Sequence, residues 1–362
     1  MSQRLARVLL VPNESAEHPQ RSSRLGLARL EAAGVIEAAD VCSLQLRNLR
    51  DGPSAAFHEL STRVAEFKPT IVLLQHPVRS GLDARSLSLL RSVHDFTLVY
   101  HEGDPYGRFT HRLPAAARAA AKASDVAMTV GSGQFRRNLE RAGAKDVRWA
   151  PHRYDPDSFG YFPINADRPY DFVMIANRST PRFAFRALPG ARQRLELVER
   201  MQEKFGSRFA IFGAGWEGPS AQGKVPFWQQ EEAISSAWIS VNWDHYPNEA
   251  DYFSNRLPIS LAAGSIHITG RHPGYREYFT DDLPFLRFAD SPEHLVAVAE
   301  ETLAGTSEDQ RLSAIHAGRL WVDARLRADT QLVELLNAGG AQIDEAAGVE
   351  ARRLDVATLT AH

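Results

Sequence analysis

The feature that most constrains this chain is an alternation of apolar strand-like runs and helical spacings that occurs twice, interrupted by a proline-rich break. The first series opens on Ala6-Arg7-Val8-Leu9-Leu10-Val11 and places further strands at 38–44, 69–75, 96–100, 126–130 and 147–150. Between them, 24–33, 57–67, 87–93, 114–124 and 135–142 carry apolar residues at helical spacing. Continuous apolar runs read as strands buried on both faces, and strand–helix alternation at this interval predicts a parallel, doubly wound sheet. Residues 151–169 then hold Pro151, Pro156, Pro163 and Pro169 among turn formers, which reads as a connector. The alternation restarts with strands at 170–176, 209–212, 238–243, 266–269 and 283–288. Helices are expected at 192–205, 254–263, 275–279, 292–303 and 308–336.

The expected architecture is therefore α/β, with two Rossmann-like domains and a cleft between them. The N-terminal domain takes 1–160, the C-terminal domain 170–340, and 341–362 forms a loosely ordered or helical tail. A length of 362 residues exceeds one ordinary core, which agrees with two domains. Composition narrows the function classes. A net charge of −2 gives no general attraction to nucleic acid or anionic lipid. The single cysteine, Cys42, rules out an intrachain disulfide framework and a multi-cysteine zinc site. No apolar run has the length of a signal peptide or a membrane span, so a soluble, cytoplasmic protein is expected.

The second half carries the most specific pattern. It contains Phe212-Gly213-Ala214-Gly215-Trp216, Arg256, Ala262-Ala263-Gly264 before the strand at 266–269, Pro273-Gly274, Glu277, Asp290 and Ala317-Gly318-Arg319. On these residues the chain resembles the spore-maturation (CgeB-type) glycosyltransferase-like proteins, relatives of the group 1 glycosyltransferases. The resemblance is good over 171–330 and thin before that. It implies the GT-B fold, with a nucleotide-sugar donor in the C-terminal domain and a hydroxyl-bearing acceptor in the N-terminal one. No cofactor or metal is implied. The acceptor could be a small molecule, a glycan or a modified DNA base.

Physical chemistry supplies roles for the residues. A helix opening at Ser254-Asn255-Arg256 offers free N–H groups, a dipole end and a guanidinium to a departing diphosphate. Arg178 and Arg182 follow the strand ending at Ala176, the carboxyl edge where open α/β sheets bind ligands. The resemblance places Gly215 and Trp216 beside the nucleotide base. It also implies two glutamates with seven residues between them, for sugar and ribose; here those positions hold Asp251 and Ile259. An isoleucine accepts no hydrogen bond, so ribose recognition must come from elsewhere, with Glu277 one candidate. In the N-terminal half, His101, Glu102 and Asp104 follow a strand and could position or deprotonate the acceptor. Asp244-His245-Tyr246, at the end of the 238–243 strand, fits a sugar-facing loop and a plain loop equally. His267, within an apolar strand, reads as a core histidine.

The function expected is metal-independent transfer of a sugar from a nucleoside diphosphate to a hydroxyl, with a retaining outcome open. Three rivals stand beside it: a protein that binds a sugar nucleotide without turnover, a two-Rossmann epimerase, and a transferase acting on modified DNA bases. The sequence leaves open the donor's base and sugar, the acceptor and the oligomeric state.

Overall fold

The computed structural model describes residues 5–14, 20–179, 187–280 and 282–355. The chain forms two compact units, and each is described on its own.

The first unit begins with β1 (Arg7–Val11), α1 (Arg21–Ala32), β2 (Ala38–Val41), α2 (Leu44–Asp51), α3 (Pro53–Phe67) and β3 (Ile71–Gln75). It continues with α4 (Ala84–Val93), β4 (Thr97–Glu102), α5 (Ala115–Ala123), β5 (Val126–Thr129), α6 (Gln134–Ala142) and β6 (Val147–Trp149). The strands form one sheet in the order β2-β1-β3-β4-β5-β6, all neighbours parallel. Side chains alternate across it. Leu9, Val11, Val72, Leu74, Leu98 and Tyr100 enter one core layer, whereas Val8, Leu10, Ile71, Leu73 and Val99 enter the other. Burial on both faces is what makes these strands read as unbroken apolar runs.

The second unit contains β7 (Tyr170–Ile175), α7 (Ala191–Phe205), β8 (Phe209–Phe212), β9 (Ala221–Gly223), α8 (Gln230–Ser235) and β10 (Ala237–Asn242). After these come α9 (Arg256–Ala262), β11 (Ile266–Gly270), α10 (Tyr275–Tyr278), β12 (Leu286–Ala289), α11 (Pro292–Ala304) and α12 (Glu308–Arg325). Its sheet runs β12-β11-β10-β7-β8-β9, again parallel throughout. Helix starts follow their capping chemistry. Ser307 and Gln310 form a reciprocal capping box on α12, and Ser291 caps α11 ahead of Pro292. Strand order reverses between β1 and β3 in the first unit and between β7 and β10 in the second. These are the points where doubly wound sheets open a crevice at their carboxyl edges.

The chain then returns to the first unit as α13 (Ala328–Ala338) and α14 (Glu345–Ala351). Leu332, Leu335 and Leu336 of α13 join the layer containing Val8 and Ile71. This corrects the expectation of one helix over 308–336 and a C-terminal domain reaching 340. The helix breaks at buried Leu326, whose backbone leaves the helical region, and the second unit ends at Arg327. Apolar spacing continues across the break because both helices bury a face, each in a different core. The strand expected over 38–44 ends at Val41, and Leu44 begins α2. No described helix is both long and apolar enough to cross a membrane.

Gly213 links the fold to its ligand edge. Its φ is +145°, and a Cβ there would fall 2.0 Å from the Ala176 carbonyl oxygen. Only glycine lets the loops after β7 and β8 approach this closely. Gly213→Ala is expected to cost about 2 kcal/mol or more and to lower the thermal midpoint by several degrees. An unchanged midpoint would contradict the close approach.

Candidate functional site

The carboxyl edge of the second sheet is built from the loops after β7, β8 and β10 and the start of α9. Asn177 Oδ1 accepts from the Ala214 N–H at 2.9 Å, and the Arg178 N–H donates to the Ala214 carbonyl at 2.9 Å. The Trp216 indole N–H donates to the Ala176 carbonyl at 2.5 Å, which ties the β8 loop to the end of β7. Gly215 has φ +85°, with its α-carbon turned toward Arg178. The Arg178 side chain makes one long contact to the Gly215 carbonyl, 3.5 Å, and is otherwise exposed. Arg182 lies outside the described residues.

Arg256, the first residue of α9, is half-buried and donates through Nε to the Ile175 carbonyl at 2.6 Å. The bond holds its guanidinium at the β7 terminus. Asn255 is exposed and its side chain does not cap the helix. Ser254 is buried, with its hydroxyl engaged by Asn242 and Asp244. Asp251 has φ +55°, and its carboxylate lies over Gly274, where a Cβ would fall 1.8 Å from Oδ1. Glu277 is exposed on α10. Ile259 is buried in α9 and makes no polar contact.

Two residues at this edge carry more than their sequence context suggested. Arg194, only 3% exposed, lies on the core face of α7, one turn before Leu197 and Val198. Its Nε donates to the Trp243 carbonyl at 2.8 Å, and its Nη1 donates to His245 Nε2 at 2.7 Å. Ser179 Oγ lies 3.2 Å from the same ring nitrogen. Gly190, which precedes α7, makes this possible. Its N–H donates to the His245 carbonyl at 2.8 Å, and a Cβ there would fall 2.1 Å from the Asp244 carbonyl oxygen.

The charge balance follows from these contacts. Burial, then the neighbouring Arg256, pulls Arg194 down to about 9. Burial, then Arg194 and Arg256, pulls His245 down to about 3, so the imidazole is neutral at physiological pH. Asp244 is buried too, which by itself would raise its pKa. Hydrogen bonds from His272, Asn242 and Ser254, with the His272 charge, hold it below the usual carboxylate range instead. Among the described residues no carboxylate forms an ion pair with Arg194 or Arg256. Two guanidinium groups thus stand together where strand order reverses, and the one buried acid beside them is already engaged by His272. His267 behaves as the sequence implied: it is buried in β11, with Nδ1 2.6 Å from Ser240 Oγ.

The first unit presents a different group at its own edge. Glu102 is 1% exposed and accepts from the Tyr100 hydroxyl at 2.5 Å, from His76 Nδ1 at 2.7 Å and from the Asp104 N–H at 3.0 Å. His76 Nε2 lies 3.4 Å from Asp104 Oδ2, and the ring stacks on Tyr106 with a centroid separation of 6.4 Å. The trio expected from sequence is therefore divided. Glu102 and Asp104 come together, but the histidine between them is His76, from the residue after β3. His101 alternates to the opposite side of β4 from Tyr100 and Glu102. His76 holds φ at +35°, sparsely populated for a non-glycine residue. The ligand atoms of His76, Glu102 and Asp104 lie within 4.8 Å of one another, a donor set that suits a proton relay or a divalent cation.

Burial opposes charge on His76, but the hydrogen bond and charge of Glu102, with the charge of Asp104, outweigh it and raise the pKa. Stability from this pairing is complete below the unfolded value of about 6.5 and is lost as pH rises through the raised native midpoint. Glu102→Gln is expected to lower the His76 midpoint measured by imidazole proton NMR. The stability gap between wild type and variant should narrow as pH rises from about 6.5 through the raised wild-type midpoint. A midpoint unmoved by the substitution would show that Glu102 does not hold the charge.

Comparison with known proteins fits this geometry. Residues 192–337, less than half of the chain, match the family model described as glycosyl transferase-like. No curated protein sequence gives a match. A glycosyltransferase from Rickettsia africae superposes with a TM-score of 0.60 at 11% identity, covering 97% of this chain and 99% of that one. Sucrose-phosphate synthase from Thermosynechococcus elongatus gives 0.59 at 12%, covering 92% and 98%. Anabaena HepE, solved in complex with UDP and glucose, gives 0.56 at 10%, covering 92% and 99%. The fold is GT-B: two parallel six-stranded sheets flanked by helices.

Proposed function

We propose that this protein is a glycosyltransferase that moves a sugar from a nucleoside diphosphate to a hydroxyl-bearing acceptor, with the donor held by the second unit. One observation carries the reading. At the β7/β10 reversal, Arg256 and Arg194 stand together without a carboxylate ion-pair partner among the described residues, and the neutral His245 accepts a hydrogen bond from Arg194. Positive charge left uncompensated inside a protein suits an anionic ligand, and a diphosphate gains charge as its bond to the sugar breaks. Fixed donors at such a point lower the barrier, typically by about 3 kcal/mol per donor. Arg178 adds an exposed guanidinium on the same edge. The glycosyl transferase-like match over 192–337 covers α7 to α13, which includes this cluster, and HepE was solved with UDP and glucose. The resemblance to CgeB-type proteins, read from the sequence, points the same way.

In this reading the arginines supply charge that a metal ion would otherwise supply, so transfer proceeds without one. The acceptor side falls to the first unit, where His76, Glu102 and Asp104 receive or relay the acceptor proton. Ile259 removes the usual carboxylate for ribose, and Glu277 is exposed and available for that role. The same isoleucine favours a second reading, in which a sugar nucleotide is bound without turnover.

Incubation with UDP-, GDP-, TDP- and ADP-sugars, scored for release of free nucleoside diphosphate, tests both. At least one donor is expected to be cleaved slowly by water. Arg256→Ala should reduce that rate by about a hundredfold or more, with the fold intact by circular dichroism. Binding without release would establish the second reading. A protein that neither binds nor cleaves any of these donors is not a transferase of this kind.

A further inference from the structure

Arg194 does more than add charge, because it decides which nitrogen of His245 carries the hydrogen. A guanidinium has donors only, so the 2.7 Å contact from Arg194 Nη1 makes His245 Nε2 an acceptor. The ring hydrogen of a neutral imidazole must then reside on Nδ1. That nitrogen is buried and has no hydrogen-bond partner among the described residues. Buried donors are rarely left unmet, and one at a ligand edge calls for an acceptor from outside the chain. The surroundings define what kind. Arg194 and Arg256 both repel a cation at this point, and their influence on His245 is the largest after burial itself.

We propose that His245 is a neutral hydrogen-bond donor to an anionic oxygen of the bound ligand, through Nδ1, with Arg194 as the positioning residue that fixes its tautomer. The inference rests on the donor-site reading above and adds a residue to it: the oxygen is one of the donor's diphosphate oxygens. A neutral donor has a use beside two arginines. It directs one oxygen by geometry without adding a third positive charge that would retain the product diphosphate. The arrangement also explains why Gly190 approaches the Asp244–His245 backbone so closely, since that contact brings α7, and Arg194 with it, against the ring.

Isosteric substitutions separate the two ring nitrogens. The side-chain nitrogen of asparagine takes the place of Nδ1, and that of glutamine the place of Nε2. Affinity for UDP and for inorganic pyrophosphate is measured by titration calorimetry on the full chain. His245→Phe is expected to weaken both by about ten- to a hundredfold, the usual weight of a hydrogen bond to a charged group. His245→Asn should return to within about threefold of wild type, a difference well under one hydrogen bond, and His245→Gln should not. Nitrogen-15 spectra of the His245 ring should show the hydrogen on Nδ1, its proton moving downfield when UDP binds. Arg194→Met should let the hydrogen shift to Nε2.

A hydrogen on Nε2 in the wild-type protein, or equal affinities for the phenylalanine variant and wild type, would overturn the proposal. So would rescue by glutamine in preference to asparagine. If the phenylalanine variant fails to fold, the asparagine–glutamine comparison decides by itself. Wild-type protein that binds none of UDP, GDP, TDP, ADP and pyrophosphate would end the donor-site reading, and this inference with it.

Discussion

Removing an arginine from water without a carboxylate ion-pair partner is the arrangement on which the second unit's carboxyl edge depends. Burial of an ion costs several kcal/mol in practice, and hydrogen bonds must offset part of that. Arg194 has two such bonds, to the Trp243 carbonyl and to His245, and both partners belong to the segment that ends β10. The same contacts fix where α7 meets the sheet. Gly190 allows that closeness, since any side chain would strike the Asp244 carbonyl. The charge left over stands beside Arg256 at the reversal of strand order, so the fold and the anion preference of the edge have one origin.

Both units are six-stranded parallel sheets, with strand orders that differ, and they also differ in the charge they bury. The first keeps a carboxylate, Glu102, satisfied by Tyr100, His76 and the Asp104 backbone. The second keeps a guanidinium and a carboxylate apart, each with its own partners: Arg194 with His245 and Trp243, Asp244 with His272 and Asn242. A buried anion that raises a histidine pKa makes a proton acceptor. A buried cation that lowers one makes a neutral donor.

Much of this was legible before any coordinates. Strand runs such as Val8–Val11 and Ile71–Leu74 are apolar on both faces only because helices cover both sides, so the parallel class followed directly. The edge principle pointed to the loops after β4, β7 and β8, which the structure places at the carboxyl edges of the two sheets. Applied to the residue after β3, it would also have selected His76. Arg194 left a fainter trace, since it extends the buried stripe of Leu197, Val198, Met201 and Phe205 by one turn. A charged residue on such a stripe signals a buried ion. The short elements α8 and β9 gave no period to detect, being too short to repeat one.

Local pattern alone determined the two series of strands and helices and the placing of polar loops at strand ends, because each rests on the spacing of neighbours in the chain. Tertiary structure decided the rest. It returned α13 to the first unit, paired Glu102 with His76 instead of His101, sealed Ser254 inside a network and set Arg194 against His245. Each of those outcomes joins residues far apart in the chain, and burial at such a meeting point is a property of the assembled core that no single stretch of sequence contains.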